Sequence, residues 1–574
     1  MAAKLDMSKA YDRVEWDYLR AILTKLGFHA RWVSLVMECV TTVTYSVMMN
    51  GEQKGFIKPA RGLRQGDPLS PYLFLICAEG LSALLRKAER DSLIQGVSIC
   101  RGGPRVSHLF FADDSIIFCR ATMAECNAIL MVLSLYENAS GQKVNSGKTA
   151  LFFSHNTLQC QREVILQMFG ATPTTRFEKY LGLPPIIGRA KKQIFHEIKD
   201  RVWRRLQGWK EKFLSQAGRE VLIKSVIQAI PTYAMSCFKL PLGFCSELTS
   251  MATRFWWGQK GTERKVHWLS KTQLMRSKHI GGMGFRDLHI FNMALLARQG
   301  WRLLQYPNSI VSRVLKAKYY PGISFLEATV KSNASFIWRS ICEAKKVLLA
   351  GMRWRVGTGS SIKIWSDPWL QGSSCAKVLS PLRILDEHAT VDALILTDQR
   401  CWNTSLVDQI FTPYEAAIIK KIPLSYRCPQ DRIIWGGTQH GEFSVRTAYR
   451  LLYQLSSGGE ESTSTGGNKA FWLGVWKARV PPKIRNFIWR ACRKILPTHS
   501  KLFEKQISSS LSCQWCEEEV ETCDHVLWQC EFAQRVWAAG VVQMPVGLEL
   551  RMSFIDVVEV CLRELTSPDV ELEE

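Results

Sequence analysis

Two adjacent carboxylates sit in an otherwise apolar run, HLFFADDSIIF, residues 108–118. Held about 4 Å apart, Asp113 and Asp114 repel by roughly 4 kcal/mol at an effective dielectric near 20. A fold keeps such a pair only where solvent, a cation or a positive partner compensates. A third acid, Asp6, lies in KLDMSKAYDRV directly after a strand-like segment, 107 residues before Asp113. If the two strands are neighbours in one sheet, the acids converge into a hard-oxygen site suited to Mg²⁺. Two such ions would activate an attacking hydroxyl and stabilise a leaving phosphate. For ADD taken alone, a solvated β-turn is the better account, because Asp is common in turns. The neighbouring segments reverse that weighting.

One of them is GLRQGDPLSPYLF, residues 62–74, where Gly66 permits close backbone approach and Gln65 can hydrogen-bond a nucleotide or template. A second donor set lies near the other end, in CQWCEEEVETCDHVLWQC, residues 513–530. Cys513-x2-Cys516 followed by His525-x4-Cys530 supplies three thiolates and an imidazole, the donors of a closed tetrahedral Zn²⁺ site. Cys523 is an alternative ligand, though two residues from His525 is a less usual spacing. With no open position implied, the zinc is read as structural. RVWRRLQGWKEKF, residues 201–213, interleaves Arg201, Arg204, Arg205, Lys210 and Lys212 with Trp203, Trp209 and Phe213. The cations can hold phosphates, and the rings are expected to form the buried stripe of an amphipathic helix.

These groups need elements to place them. Residues 1–155 alternate strand and helix signals. AKLDM reads as a short strand, residues 17–27 and 30–40 as helices, and Asn50-Gly51 as the turn of a hairpin. PLSPYLFLICAEGLSALLRKAER reads as a buried helix. LFF-ADD-SIIF reads as two short strands around a tight acidic turn. Thr122 and Glu125 form a capping box for a helix that gives out near Gly141, and residues 148–154 read as a further strand. The mixture predicts an α+β fold, with helices behind an antiparallel sheet. Residues 190–350 read as mostly helical, 351–440 as short segments with turns, 456–467 as a flexible polar loop and the acidic end as a frayed tail.

Composition bounds the class. The chain has 574 residues, enough for three to five domains, with 47% apolar and 22% charged residues, as in ordinary globular proteins. Lys and Arg outnumber Asp and Glu by 75 to 51, giving a net charge of +24 that favours a polyanion partner, most plausibly nucleic acid. The 18 cysteines form no dense framework. The start lacks an apolar signal segment, and no apolar run reaches the roughly 18–20 residues of a membrane span. A reducing, intracellular setting without membrane insertion is expected.

In this order and spacing, LDMSKAYD, GLRQGDPLSP, FADD (a variant of the commoner YADD), GQKVNSGKT at 141–149 and KYLGLP at 179–184 resemble the five motifs of a reverse transcriptase palm. Three further stretches narrow the resemblance to plant LINE-type (non-LTR) retrotransposon proteins: 201–238, GGMGFRDLHIFNMALLARQGWRLL, and WRVGTGSSIKIWSDPWL. Residues 471–530 are similar to the zinc-binding domain that follows those enzymes. The resemblance implies a right-hand polymerase palm over 1–185, a helical thumb and connection over 186–350, a poorly defined 351–441, a zinc-binding domain over 442–540 and a tail over 541–574. It implies an RNA-directed DNA polymerase, in which a primer 3′-hydroxyl attacks the α-phosphate of a deoxynucleoside triphosphate on an RNA template. Asp6 and Asp113 would ligate two catalytic Mg²⁺ ions with Asp114 in support. Tyr11 would stand as a gate against the ribose 2′-hydroxyl, Gln65 and Gly66 would meet nucleotide and template, and Lys148 would lie near the triphosphate. Asp12 is expected to be structural. One structural Zn²⁺, an RNA template, a DNA primer or target and a nuclear or cytoplasmic ribonucleoprotein setting complete the implied picture. Against the family pattern, fingers and endonuclease segments are expected to precede Asp6, and an RNase H segment to follow residue 540. Their absence from this sequence suggests an N-terminally truncated copy with weak or no synthesis of its own. The alternative is an inactive remnant that retains nucleic-acid and zinc binding.

Overall fold

The computed structural model describes all residues except 174–179, 184–190, 209–213, 260–264, 371–375, 382–383, 397, 457–465, 541–544, 546 and 566–574. The chain divides into two compact units, one of Met1–Gly188 with Tyr306–Glu327, the other of Arg189–Gln305 with Ala328–Glu574. Helix and sheet are mixed, and the helices predominate.

The first unit is organised on a five-stranded sheet. Its strands are β1 (Ala2–Leu5), β2 (His108–Phe111), β3 (Asp114–Phe118), β4 (Ala150–Phe152) and β5 (Thr172–Pro173). Their spatial order is β5-β4-β1-β3-β2, antiparallel throughout except for the parallel β4/β5 pair. In β1 the period of two sends Ala3 and Leu5 to one face, where they meet Ile117 and Leu151. The helices Ser70–Arg90 and Met123–Ser140 cover that face with Leu81, Leu85, Ile129 and Leu133. Full burial of each such side chain contributes about 1.5–3 kcal/mol. Lys4, and by the same alternation Asp6, go to the opposite face, where both stay partly exposed.

Local chemistry sets the ends of these elements. Asp67 Oδ1 accepts the Leu69 N–H at 2.7 Å just before the helix Ser70–Arg90, which carries Pro71 in its first turn. Thr122 caps Met123–Ser140 by accepting the Glu125 N–H at 3.4 Å. The expected reciprocal half of the capping box is not made. Glu125 is buried and accepts instead from the backbone N–H groups of Gln95 at 3.0 Å and Arg120 at 2.9 Å, tying two loops to the helix start. The helix ends at Gly141 (φ +75°), where a Cβ would lie 2.5 Å from the Arg13 carbonyl oxygen. Helices Trp16–Lys25 and Ala30–Thr41 bury Leu19, Leu23, Val33, Val36 and Met37 against Leu73 and Phe74. Strands Tyr45–Met49 and Glu52–Ile57 form the hairpin expected from Asn50-Gly51, both turn residues having positive φ, and all the side chains of the two strands are exposed.

The second unit is helical and rich in buried tryptophan: Trp256, Trp338, Trp369, Trp435 and Trp489 are all essentially inaccessible. Within Leu288–Gln305, Asn292 donates to the carbonyls of Met235 and Phe238 and accepts from Leu240 N, which satisfies the end of a neighbouring helix. Residues 351–440, read from sequence only as short segments, enclose a core that includes Ile362, Ile364, Trp369, Trp402 and Ile419. Two carboxylates hold its irregular backbone. Asp431 accepts from the N–H groups of Gly357, Gly359 and Ser361 at 2.7–2.8 Å, and Glu415 accepts from Leu379 N at 2.6 Å. Helix Pro482–Cys492 joins the helical core through Trp489, whose indole N–H donates to the Gly281 carbonyl at 3.0 Å. Among the described residues, no helix is long and apolar enough to cross a membrane. Most of the 456–467 loop and the acidic tail lie outside the described residues.

Candidate active site and metal centre

The β2/β3 turn holds the acid pair. Phe111 pairs with Asp114, so Ala112 and Asp113 form a two-residue turn, and Ala112 takes φ +51°, a left-handed conformation that costs a non-glycine residue about 1–2 kcal/mol. β1 runs antiparallel to β3 with Leu5 opposite Ser115, so the next position, Asp6, comes to the same end of the sheet as Asp114. The structure therefore brings Asp6 to the adjacent pair Asp113 and Asp114, which lies more than a hundred residues further along the sequence. Two lysines offset their charge. Lys4 Nζ lies 3.2 Å from Asp114 Oδ1, and Lys148 Nζ 4.0 Å from Asp6 Oδ2.

Two tyrosines flank the acids. Tyr11 stacks on Phe74 with ring centroids 4.7 Å apart, and its phenol pKa is raised first by burial and then by the negative charge of Asp113. Tyr180, which sequence reading did not single out within KYLGLP, has its pKa raised by burial and then by the charge of Asp114. It sits in a tight turn closed by Tyr180 N to Leu183 O (2.8 Å) and Leu183 N to Tyr180 O (3.0 Å), with positive φ at Leu181 and Gly182. The signal was available: Leu-Gly at the centre of a four-residue turn is a turn signature.

The Gln65 loop hangs from the segment that follows Asp6. Leu63 N donates to Tyr11 O and Gly62 N to Val14 O, both at 2.8 Å, and Gln65 Nε2 donates to Asp12 Oδ1 at 3.4 Å. Asp12 thus orients Gln65. Gly66 (φ +87°) has open space around it. A cleft of about 500 Å³ opens here, lined by Asp12, Trp16, Arg61, Arg64 and Gln65 among others. Arg61 and Arg64 add positive charge that the motif reading overlooked, although Arg61 is already paired with Glu15 at 3.1 Å.

In the second unit, Cys513, Cys516, His525 and Cys530 converge so that their donor atoms all lie within 4.8 Å of one another. Cys513, Cys530 and His525 are buried. Cys513 Sγ is 4.0 Å from Cys530 Sγ, and Cys516 Sγ is 3.3 Å from His525 Nε2. The Cys516 thiol pKa is lowered to about 7, first by the backbone N–H of Glu519 and next by that of Glu518. Such donors favour the thiolate that a metal requires. His525 Nδ1 is buried without completing a hydrogen bond, with Glu519 Oε2 3.2 Å away but off the N–H axis. That leaves Nε2 for the metal and a carboxylate ready to fix the ring. Cys523 is buried outside the cluster, which excludes it as a substitute ligand. The donor set and its closure fit Zn²⁺.

Residues 1–184 match the family described as reverse transcriptase (RNA-dependent DNA polymerase), and residues 443–537 the family described as zinc-binding in reverse transcriptase. A mitochondrial protein of Arabidopsis thaliana is 42% identical over 143 residues, 25% of this chain and 93% of that protein. The chain belongs to the LINE-type (non-LTR) reverse transcriptase family. It is also similar to an Arabidopsis thaliana protein named as a ribonuclease H protein, 31% identical over 365 residues, 63% of this chain and 58% of the relative. A 149 kDa protein of transposon TX1 from Xenopus laevis is 24% identical over 307 residues, 51% of this chain and 22% of that protein. The chain thus spans little more than half the length of one of these relatives and under a quarter of another.

Helix Lys191–Gly208 carries Arg201, Arg204 and Arg205 of the basic cluster. Its buried stripe is Phe195, Ile198, Val202 and Leu206. Trp203 is not part of that stripe, contrary to expectation. It is 50% exposed, and Arg201, Arg204 and Arg205 are exposed too, because Val202 and Leu206, four apart, already fill the core-facing positions. Lys210, Lys212, Trp209 and Phe213 lie outside the described residues.

Proposed function

We propose that the chain is an RNA-directed DNA polymerase that extends a primer 3′-hydroxyl by nucleotidyl transfer. The observation that carries this reading is the meeting of Asp6 with Asp113 and Asp114 at one end of the sheet. These are hard oxygen donors, and among the described residues Asp6 and Asp114 are offset by lysine ammonium groups, so the set fits Mg²⁺. Magnesium bound there would supply the positive charge that activates the primer hydroxyl and stabilises the departing pyrophosphate. Asp6 and Asp113 would hold the metals. Tyr11, fixed by its stack on Phe74, would stand beside the sugar as the 2′-hydroxyl gate. Gln65, which lines the 500 Å³ cleft, and the adjacent Gly66 would meet the nucleotide and template. Lys148 would reach the triphosphate. Arg201, Arg204 and Arg205, with exposed Trp203, would track a nucleic-acid backbone, joined by Lys210 and Lys212. In this reading residues 1–185 serve as palm, 186–350 as thumb and connection, and 442–540 as a zinc-stabilised module, with RNA template, DNA primer and deoxynucleoside triphosphates as partners.

The test is primer extension on an RNA template with Mg²⁺. The chain is expected to give weak synthesis at most, and Asp113→Asn to abolish it. Synthesis that is insensitive to Asp113→Asn would overturn the reading. Salt-sensitive RNA binding with no synthesis by the wild-type chain would replace it with the binding-remnant alternative.

A further inference from the structure

We infer that Lys4 is a positioning residue that holds Asp114 out of the metal site, leaving Asp6 and Asp113 as the metal-binding pair. The inference rests on the metal site proposed above and assigns the third acid of that site a different role from the other two.

The geometry distinguishes the three acids. Lys4 lies opposite Ile116 across the β1/β3 ladder, so Asp114 is its diagonal neighbour on the same face. The Lys4–Asp114 pair, at 3.2 Å, is 29% and 35% exposed, with both stems anchored on paired strands. Lys148 and Asp6 are 4.0 Å apart and 72% and 44% exposed, and Lys148 leaves a short 3₁₀ turn. A cation approaching the site therefore meets one acid held by a close, strand-borne ammonium and another whose ammonium is long-range and solvated. Asp113 sits in the turn itself, and no lysine or arginine lies within ion-pair distance of it among the described residues. Competition for Asp114 must first displace Lys4. Competition for Asp6 displaces little, and for Asp113 nothing. The same ammonium also offsets the repulsion between the adjacent acids, which removes the need for a metal to do so at Asp114.

Mn²⁺ binding to the full chain, read from the free-ion electron paramagnetic resonance signal, tests this without an activity measurement. Lys4→Met keeps most of the aliphatic stem and is expected to tighten Mn²⁺ binding by about two- to fivefold, the range of a partly exposed ion pair. Lys4→Arg is expected to behave like wild type. Asp114→Asn should change affinity less than about twofold in the wild-type background but weaken binding clearly in Lys4→Met, so the two substitutions are non-additive. Unchanged binding in Lys4→Met, with a melting temperature that shows a folded protein, would overturn the inference. So would an Asp114→Asn loss as large as that of Asp113→Asn. If Asp6→Asn and Asp113→Asn also leave Mn²⁺ binding unchanged, the metal site itself is wrong, and that result is distinct from a failure of Lys4 alone.

Discussion

The two donor clusters of this chain are built in opposite ways. At the C-terminal cluster, soft donors are largely buried and converge within 4.8 Å on a short knuckle, with one imidazole nitrogen left over. At the sheet end, hard carboxylates stay partly open to solvent and borrow the ammonium groups of Lys4 and Lys148. The first arrangement is closed and makes sense only with a metal that stays. The second is open and suits ions that arrive with a substrate. The difference follows from solvation: buried thiolates cannot persist without a cation, whereas exposed carboxylates can.

Five substitutions test that contrast, beginning with the largest effect. Cys513→Ser should abolish zinc binding, from about one Zn²⁺ per chain to none by metal analysis. It should also open residues near 511–540 to hydrogen exchange, since structural zinc contributes about 10–16 kcal/mol of binding free energy in small sites. Cys523→Ser should keep the zinc, and its loss there would mean that the ligand set is wrong. Glu519→Gln is expected to weaken zinc by about tenfold in a chelator competition, because it removes the carboxylate 3.2 Å from His525 Nδ1. An unchanged affinity would show that the carboxylate does not fix the ring. Ala112→Gly should raise the melting midpoint, equivalent to about 1 kcal/mol, by relieving the φ of +51° in the acidic turn. A destabilised protein would mean that the alanine methyl is needed there. The smallest effect on stability is assigned to Asp113→Asn, about 0.5 kcal/mol or less in thermal unfolding. A loss of several kcal/mol would make the acidic edge a structural site like the zinc cluster and end the contrast.

Much of this was legible in the residues themselves. The Asn50-Gly51 hairpin, the helix through Ser70–Arg90, the acidic two-residue turn and the Cys/His spacing all depend on neighbours within about twenty positions. The less legible parts depend on distant partners. The core of 351–440 is held by Asp431 reaching back to 357–361, a carboxylate that looks like any loop aspartate in sequence. Glu125 had the spacing of a capping box, but two distant backbone N–H groups took its carboxylate. Trp203 was assigned inward by hydrophobicity, and the i, i+4 pair Val202 and Leu206 already occupied the buried stripe.

The sequence by itself determined which donors exist, how they are spaced along the chain and that the chain carries a strong net positive charge. Only the tertiary structure decided that Asp6 and Asp114 meet, that Lys4 stands beside one of them, and that Cys523 is left out of the zinc cluster. The physical reason is register. A strand pairing that spans more than a hundred residues has no local signature, and a slip of one residue would turn Lys4 and Asp6 into the core and Leu5 out to solvent.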